Sequence, residues 1–134
     1  YFIKMTELRD RMTYARRSGR ESNLLSYLVR PSCLIIDEVG HCEFDKENTR
    51  LFFDMVDRRY QKEGYSSMVF SSNRDPAQWK ENFCENDALL CALDRIFDDA
   101  VVFIIKGESF RGRKLETVAL RTSTGSPADP QQAG

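Results

Sequence analysis

The 134-residue sequence has one histidine, His41, and one tryptophan, Trp79, among its side chains. Its four cysteines, Cys33, Cys42, Cys84 and Cys91, form no C-x-x-C pair. A zinc finger or ribbon needs two such ligand pairs, and His41 beside Cys42 supplies only one cramped half. The cysteines therefore read as reduced, mostly buried thiols of a cytosolic protein. No stretch approaches the roughly 20 apolar residues of a membrane span, and no secretory leader is visible. Charge of one sign is also missing. Twenty Lys and Arg against 21 Asp and Glu leave a net charge of −1. That excludes a wholly basic nucleic-acid binder but leaves room for a local basic patch. There are only seven glycines, and none stands in a phosphate-cradling G-x-x-G-x-G-K-[ST] loop.

What is present is a foldable core. Apolar residues make up 41% of the chain and nine are Phe, enough for one domain of this length. The first residues, 1–5, read as a short strand, with Thr6 placed to cap a following helix. A chain that opens with Tyr1 inside a strand reads as a fragment. Leu8, Met12 and Ala15 recur at helical spacing, and Gly19 is a natural stop. A second short helix covers about 22–29 and ends before Pro31.

Residues 33–36 are continuously apolar and close on Asp37-Glu38. A run without alternation predicts a strand buried on both faces of a parallel sheet. Asp45 caps the next helix, whose stripe is Leu51, Phe52, Met55, Val56 and Tyr60 and whose end is Gly64. Residues 65–71 form another strand, ending on Ser71-Ser72-Asn73. Asp75-Pro76 starts a short helix bearing Trp79, and Asp87 opens a further amphipathic helix. A last strand is expected over 100–105. From Thr122 onward Ser, Thr, Pro, Gln and Gly predict a disordered tail. Strands alternating with helices imply an α/β fold with a parallel sheet and right-handed crossovers. The expected division is a domain over 1–121 and a tail over 122–134.

Several residues sit where such folds do chemistry. Open α/β sheets bind ligands at the carboxyl ends of their strands, and Asp37 and Glu38 lie there. One carboxylate suits Mg²⁺, a hard cation that prefers oxygen. The other can polarise a water for attack on a phosphate. The plain alternative is a strand ending in two solvated acids. Asn73 occupies the equivalent place one strand later, either as a neutral amide beside the acids or as an ordinary turn residue. Arg95 can reach a neighbouring subunit's nucleotide or form a surface ion pair with Asp94, Asp98 or Asp99. Arg111, after the last expected strand, can touch phosphate or simply be solvated. Arg16, Arg17 and Arg20 make the end of the first helix basic, fit for DNA phosphates or for water.

Taken in order, these segments resemble a known family. Cys33-Leu34-Ile35-Ile36-Asp37-Glu38-Val39-Gly40 resembles the Walker B segment of IstB-like transposition-helper ATPases, which are related to DnaC-type helicase loaders. Ser71-Ser72-Asn73 is similar to the sensor I strand end, and Asp75-Pro76-Ala77-Gln78-Trp79 to the turn and helix that follow. Leu93-Asp94-Arg95-Ile96 resembles the arginine-finger segment, and Gly107-Glu108-Ser109-Phe110-Arg111 the terminal motif.

The resemblance implies an AAA+ P-loop NTPase-type parallel sheet, here without its first strand and phosphate loop. It implies Asp37 serving Mg²⁺, Glu38 the attacking water, Asn73 as sensor I, Arg95 acting in trans and Arg111 in cis. It also implies a cytoplasmic homo-oligomer that uses ATP and Mg²⁺, binds DNA, and serves a transposase or a replicative helicase. Lacking the loop, the 134 residues alone are expected to bind ATP poorly. The rival expectation is a non-catalytic α/β module that binds DNA or a partner protein.

Overall fold

The computed structural model describes residues 1–84 and 86–107. They fall into one unit over Tyr1–Val101 and the beginning of a second, Val102–Gly134. In the first unit β1 (Phe2–Lys4) leads directly into α1 (Met5–Ser18), followed by α2 (Glu21–Val29) and β2 (Cys33–Asp37). Then come α3 (Lys46–Gln61), β3 (Ser67–Phe70), a 3-10 helix (Pro76–Asn82) and α4 (Asn86–Asp98). The fold is α/β, with three parallel strands in the order β1-β2-β3.

Local chemistry accounts for most boundaries. Gly19, at φ 66°, takes the left-handed conformation that closes α1, and its N–H returns to the carbonyls of Ala15 and Arg16. Asp45 caps α3 by accepting from the Asn48 N–H at 2.8 Å. Asp75 accepts from the Ala77 N–H at 2.9 Å at the start of the 3-10 helix, where Pro76 needs no donor. Thr6, expected as a cap, lies inside α1. That helix starts at Met5 behind Lys4 and has no side-chain cap, because the backbone turns from strand to helix without a loop.

Both crossovers step the same way across the sheet. Right-handed connections then lay their helices on the same face. Burial agrees: Ile3, Leu34 and Ile36 are fully buried and join Leu8, Met12, Leu28, Phe52 and Met55 in one core. The alternate residues do not bury. Phe2, Ile35 and Val69 share one row across the three strands, with Phe2 and Val69 exposed and Ile35 half-buried. The expectation of a β2 covered on both faces is therefore corrected. Among the described residues the helices cover one face, so the strand alternates even though its sequence does not.

Arg59 of α3 crosses this core. It is 1% exposed and donates to the carbonyls of Leu28, Val29, Pro31 and Ser67 at 2.9–3.2 Å. It thereby satisfies the carboxyl end of α2 and ties it to the start of β3.

Residues 100–105, where a last strand was expected, form no strand. Val102, Phe103, Ile104 and Ile105 are exposed. An apolar run has strand propensity but becomes a strand only against a partner, and among the described residues this one has none. Of the four thiols only Cys42 is buried. Cys33 is half-buried, Cys84 and Cys91 are exposed, and no disulfide links them. The expected tail over 122–134 lies outside the described residues.

Candidate functional site

β2 and β3 run side by side in parallel, with Ile36 opposite Phe70. Their carboxyl ends therefore emerge together, Asp37-Glu38 on one and Ser71-Ser72-Asn73 on the other. The backbone keeps them stitched beyond the last ladder pair. The Ser71 N–H donates to the Ile36 carbonyl at 3.0 Å, and the Val39 N–H donates to the Ser71 carbonyl at 2.9 Å. Side chains add to this. The Ser71 hydroxyl donates to the Asp37 carboxylate and accepts from the Glu38 N–H at 3.3 Å. The Ser72 hydroxyl donates to the Val39 carbonyl at 2.6 Å and accepts from the Trp79 indole N–H at 3.2 Å.

Glu38 sits at φ 59°, the sole non-glycine with positive φ among the described residues. A side chain held there costs on the order of 1–3 kcal/mol and persists only when its surroundings impose it. The imposition is visible: Ser71 grips the residue on its amino side, and the His41 N–H donates to the Glu38 carbonyl at 3.2 Å on the other. The Glu38 carboxylate lies 3.5 Å from the Lys4 ammonium, which projects from the end of β1. The amide of Asn73 meets the His41 ring, with Oδ1 and Nε2 3.0 Å apart.

Beneath the loop, Arg74 lies against Gly40 so closely that a Cβ there would stand 2.9 Å from its Cδ. It donates to the carbonyl of Gly40 and to the side chains of Asn82 and Glu81. Gly40, at φ 93°, is thus required both for its backbone angle and for that close approach. Asn82 completes the support through the carbonyls of Gly40 and Cys42.

The remaining expected site residues lie elsewhere. Arg95 of α4 pairs with Asp57 of α3 at 2.5 Å, a partner on a different helix from those weighed in the sequence. Arg16 donates to Asp45 and Asn48 at the start of α3. Arg17 and Arg20 are exposed. Arg111 and its motif lie outside the described residues. Three residues at the strand ends went unassigned in the sequence. Lys4 and Ser71 had one usable signal, their place at the carboxyl ends of strands flanking the acid pair. His41 had none beyond standing three residues after Glu38.

Among the described residues no group of three or more His, Cys, Asp and Glu could hold a metal. A caged structural ion therefore does not fit. One or two carboxylates at an open strand end do fit Mg²⁺, which keeps most of its waters and takes its other ligands from phosphate. No described helix is long and apolar enough to cross a membrane.

The site can now be set beside known proteins. The model of the IstB-like ATP binding protein family matches residues 1–117. The chain belongs to that family. Three insertion-sequence proteins named for ATP binding are similar to this IstB-like chain. One is the IS5376 protein of Geobacillus stearothermophilus, 30% identical over 85% of the chain. Another is the IS232 protein of Bacillus thuringiensis subsp. berliner, 33% identical over 83%. A third is the IS21 protein of Pseudomonas aeruginosa, 29% identical over 94%. The chain spans 44%, 43% and 46% of their respective lengths. The parallel α/β sheet accords with the IstB-like family.

Proposed function

We propose that this IstB-like chain carries the water-activating half of an ATP-hydrolysing AAA+ helper of DNA transposition. One observation carries the reading: Ser71 at the end of β3 holds Asp37 and Glu38 at the end of β2 in a single strained turn. On this reading Asp37 holds Mg²⁺ through water. When bound, the ion offsets charge on the β- and γ-phosphate oxygens. Glu38 polarises the attacking water, and Asn73 orients that water or donates to the γ-phosphate. Lys4, whose ammonium lies 3.5 Å from the Glu38 carboxylate, places positive charge beside it.

Arg95 supplies positive charge in trans to the nucleotide of the next subunit of a homo-oligomer, and Arg111 contacts phosphate in cis. DNA and a transposase are the partners, in the cytoplasm. The insertion-sequence names of the relatives favour this over the loading of a replicative helicase. A second reading is a module that binds DNA or a partner without catalysis, through the exposed Arg17 and Arg20. The deciding experiment uses the full-length natural protein. Glu38→Gln is expected to retain bound ATP while losing hydrolysis. Hydrolysis at the wild-type rate in that variant sinks the enzymatic reading.

A further inference from the structure

We propose that His41 is a positioning residue that fixes the amide of Asn73 and, through its own backbone, the turn of Glu38. This rests on the hydrolase reading given above. The imidazole Nε2 lies 3.0 Å from Asn73 Oδ1. With the proton on Nε2 the ring donates, the amide oxygen accepts, and both amide N–H groups are left to face other acceptors. The opposite orientation of the amide would turn its oxygen outward, toward the anionic oxygens of a phosphate, where it repels. A free asparagine on an exposed loop samples both orientations. One held by a donor samples one.

The same residue acts on Glu38. The His41 N–H donates to the Glu38 carbonyl at 3.2 Å, closing the turn that keeps Glu38 at φ 59°. Gly40, between them at φ 93° and backed by Arg74, sets the angle at which the ring swings over to Asn73. The candidate base and the candidate amide therefore share one brace, which connects the loops after β2 and β3. The backbone bond is available to any residue at 41 except proline. The ring bond does not, so the two contributions can be separated.

The test compares His41→Leu, which has no donor, with His41→Gln, whose amide nitrogen can stand near the place of Nε2. Both are made in the full-length protein and in an Asn73→Ala background. His41 is exposed, so both variants are expected to melt as wild type does. In the wild-type background His41→Leu is expected to lower kcat about tenfold while KM for ATP moves less than about twofold, as expected when orientation and not binding is lost. His41→Gln is expected to restore most of the loss. In the Asn73→Ala background His41→Leu is expected to have no further effect.

A second readout needs no turnover. The side-chain amide of Asn73 is expected to show restricted motion by ¹⁵N relaxation, and to lose that restriction in His41→Leu. An unchanged kcat in His41→Leu overturns the proposal, as does an equal loss with and without Asn73, or an Asn73 amide already mobile in the wild type. If Glu38→Gln abolishes hydrolysis while His41→Leu leaves kcat unchanged, the positioning role alone fails. If Glu38→Gln is silent, the hydrolase reading fails and takes this proposal with it.

Discussion

The Ser71 hydroxyl donates to the Asp37 carboxylate and at the same time accepts from the Glu38 N–H. One side chain just past β3 thereby sets the position of two consecutive residues at the end of β2. A hydrogen bond to a charged group contributes about 1.5–3 kcal/mol. If Ser71→Ala removes that much from the transition state in the full-length protein, hydrolysis falls about ten- to hundredfold. Ser71 is exposed, so stability should change little. Ser71→Thr keeps the hydroxyl and should retain most of the rate. Steady-state ATP hydrolysis of the two variants checks this, and an alanine variant as fast as wild type refutes it.

Asp45 links stability to pH. Its carboxyl is held below the usual carboxylate value, first by the Asn48 N–H at the start of α3 and then by Arg16. A carboxyl that is more acidic folded than unfolded stabilises the fold above its unfolded value, near 4. That stabilisation disappears as pH falls through the lower, folded value. Asp45→Asn keeps a capping oxygen but loses the charge. The urea midpoint of wild type should therefore exceed that of Asp45→Asn at pH 6 and converge on it as pH falls through the lowered folded value. Asp45→Ala should cost about 0.5–2 kcal/mol, the usual loss for a missing cap. A gap between wild type and Asp45→Asn that stays constant from pH 6 to pH 2 would show that the charge contributes nothing.

The order of elements was legible because each is punctuated by residues with a single local meaning. Gly19 has no Cβ to clash at positive φ, Asp45 and Asp75 offer capping oxygens, and Pro76 needs no donor. The acid pair was legible for a similar reason: four apolar residues closing on Asp37-Glu38 mark the end of a buried strand. The second face of the sheet was not legible. An apolar Ile35 reads the same whether or not something covers it, and coverage is a property of other segments. The failure at 100–105 has the same cause, since strand propensity cannot say whether a partner is present. The braces at the site were hidden for another reason. Ser71 and Lys4 reach the acid pair only because β1, β2 and β3 are parallel and in register, a relation that spans more than thirty positions. The left-handed turn at Glu38 was invisible as well, because a glutamate carries no preference for it.

Arg59 should be among the least replaceable residues of the fold. Burial opposes its charge and pulls its pKa down from the usual arginine value. Four carbonyls offset that cost. Arg59→Met fills much of the same space but leaves those carbonyls without a donor, and Arg59→Lys cannot span all four. We expect Arg59→Met to lose about 3–5 kcal/mol, because several buried carbonyls lose their donor at about 1–3 kcal/mol each. Arg59→Lys should lose less. Denaturant unfolding measures both, and a loss below about 1 kcal/mol in Arg59→Met would show that the carbonyls find other partners.

The basic end of α1 separates into two kinds of arginine, and DNA binding should separate them too. Arg16 is spent on the fold: it donates to both Asp45 oxygens and to Asn48 at 3.0 Å. Arg17 and Arg20 are exposed. If this end of the helix lies on DNA, each phosphate contact releases counterions, and the slope of log affinity against log salt falls by about 1 for each contact removed. Arg17→Ala and Arg20→Ala should each lower the slope by about that amount without changing the melting temperature. Arg16→Ala should do the reverse, lowering stability while leaving the slope nearly unchanged, because its guanidinium is already bound to a carboxylate. Fluorescence anisotropy with duplex DNA over a salt series, run beside thermal melts, tests all three variants. A slope unmoved by Arg17→Ala and Arg20→Ala together would take this helix off the DNA. An Arg16→Ala slope as shallow as theirs would mean that DNA phosphate displaces Asp45 as the partner of Arg16.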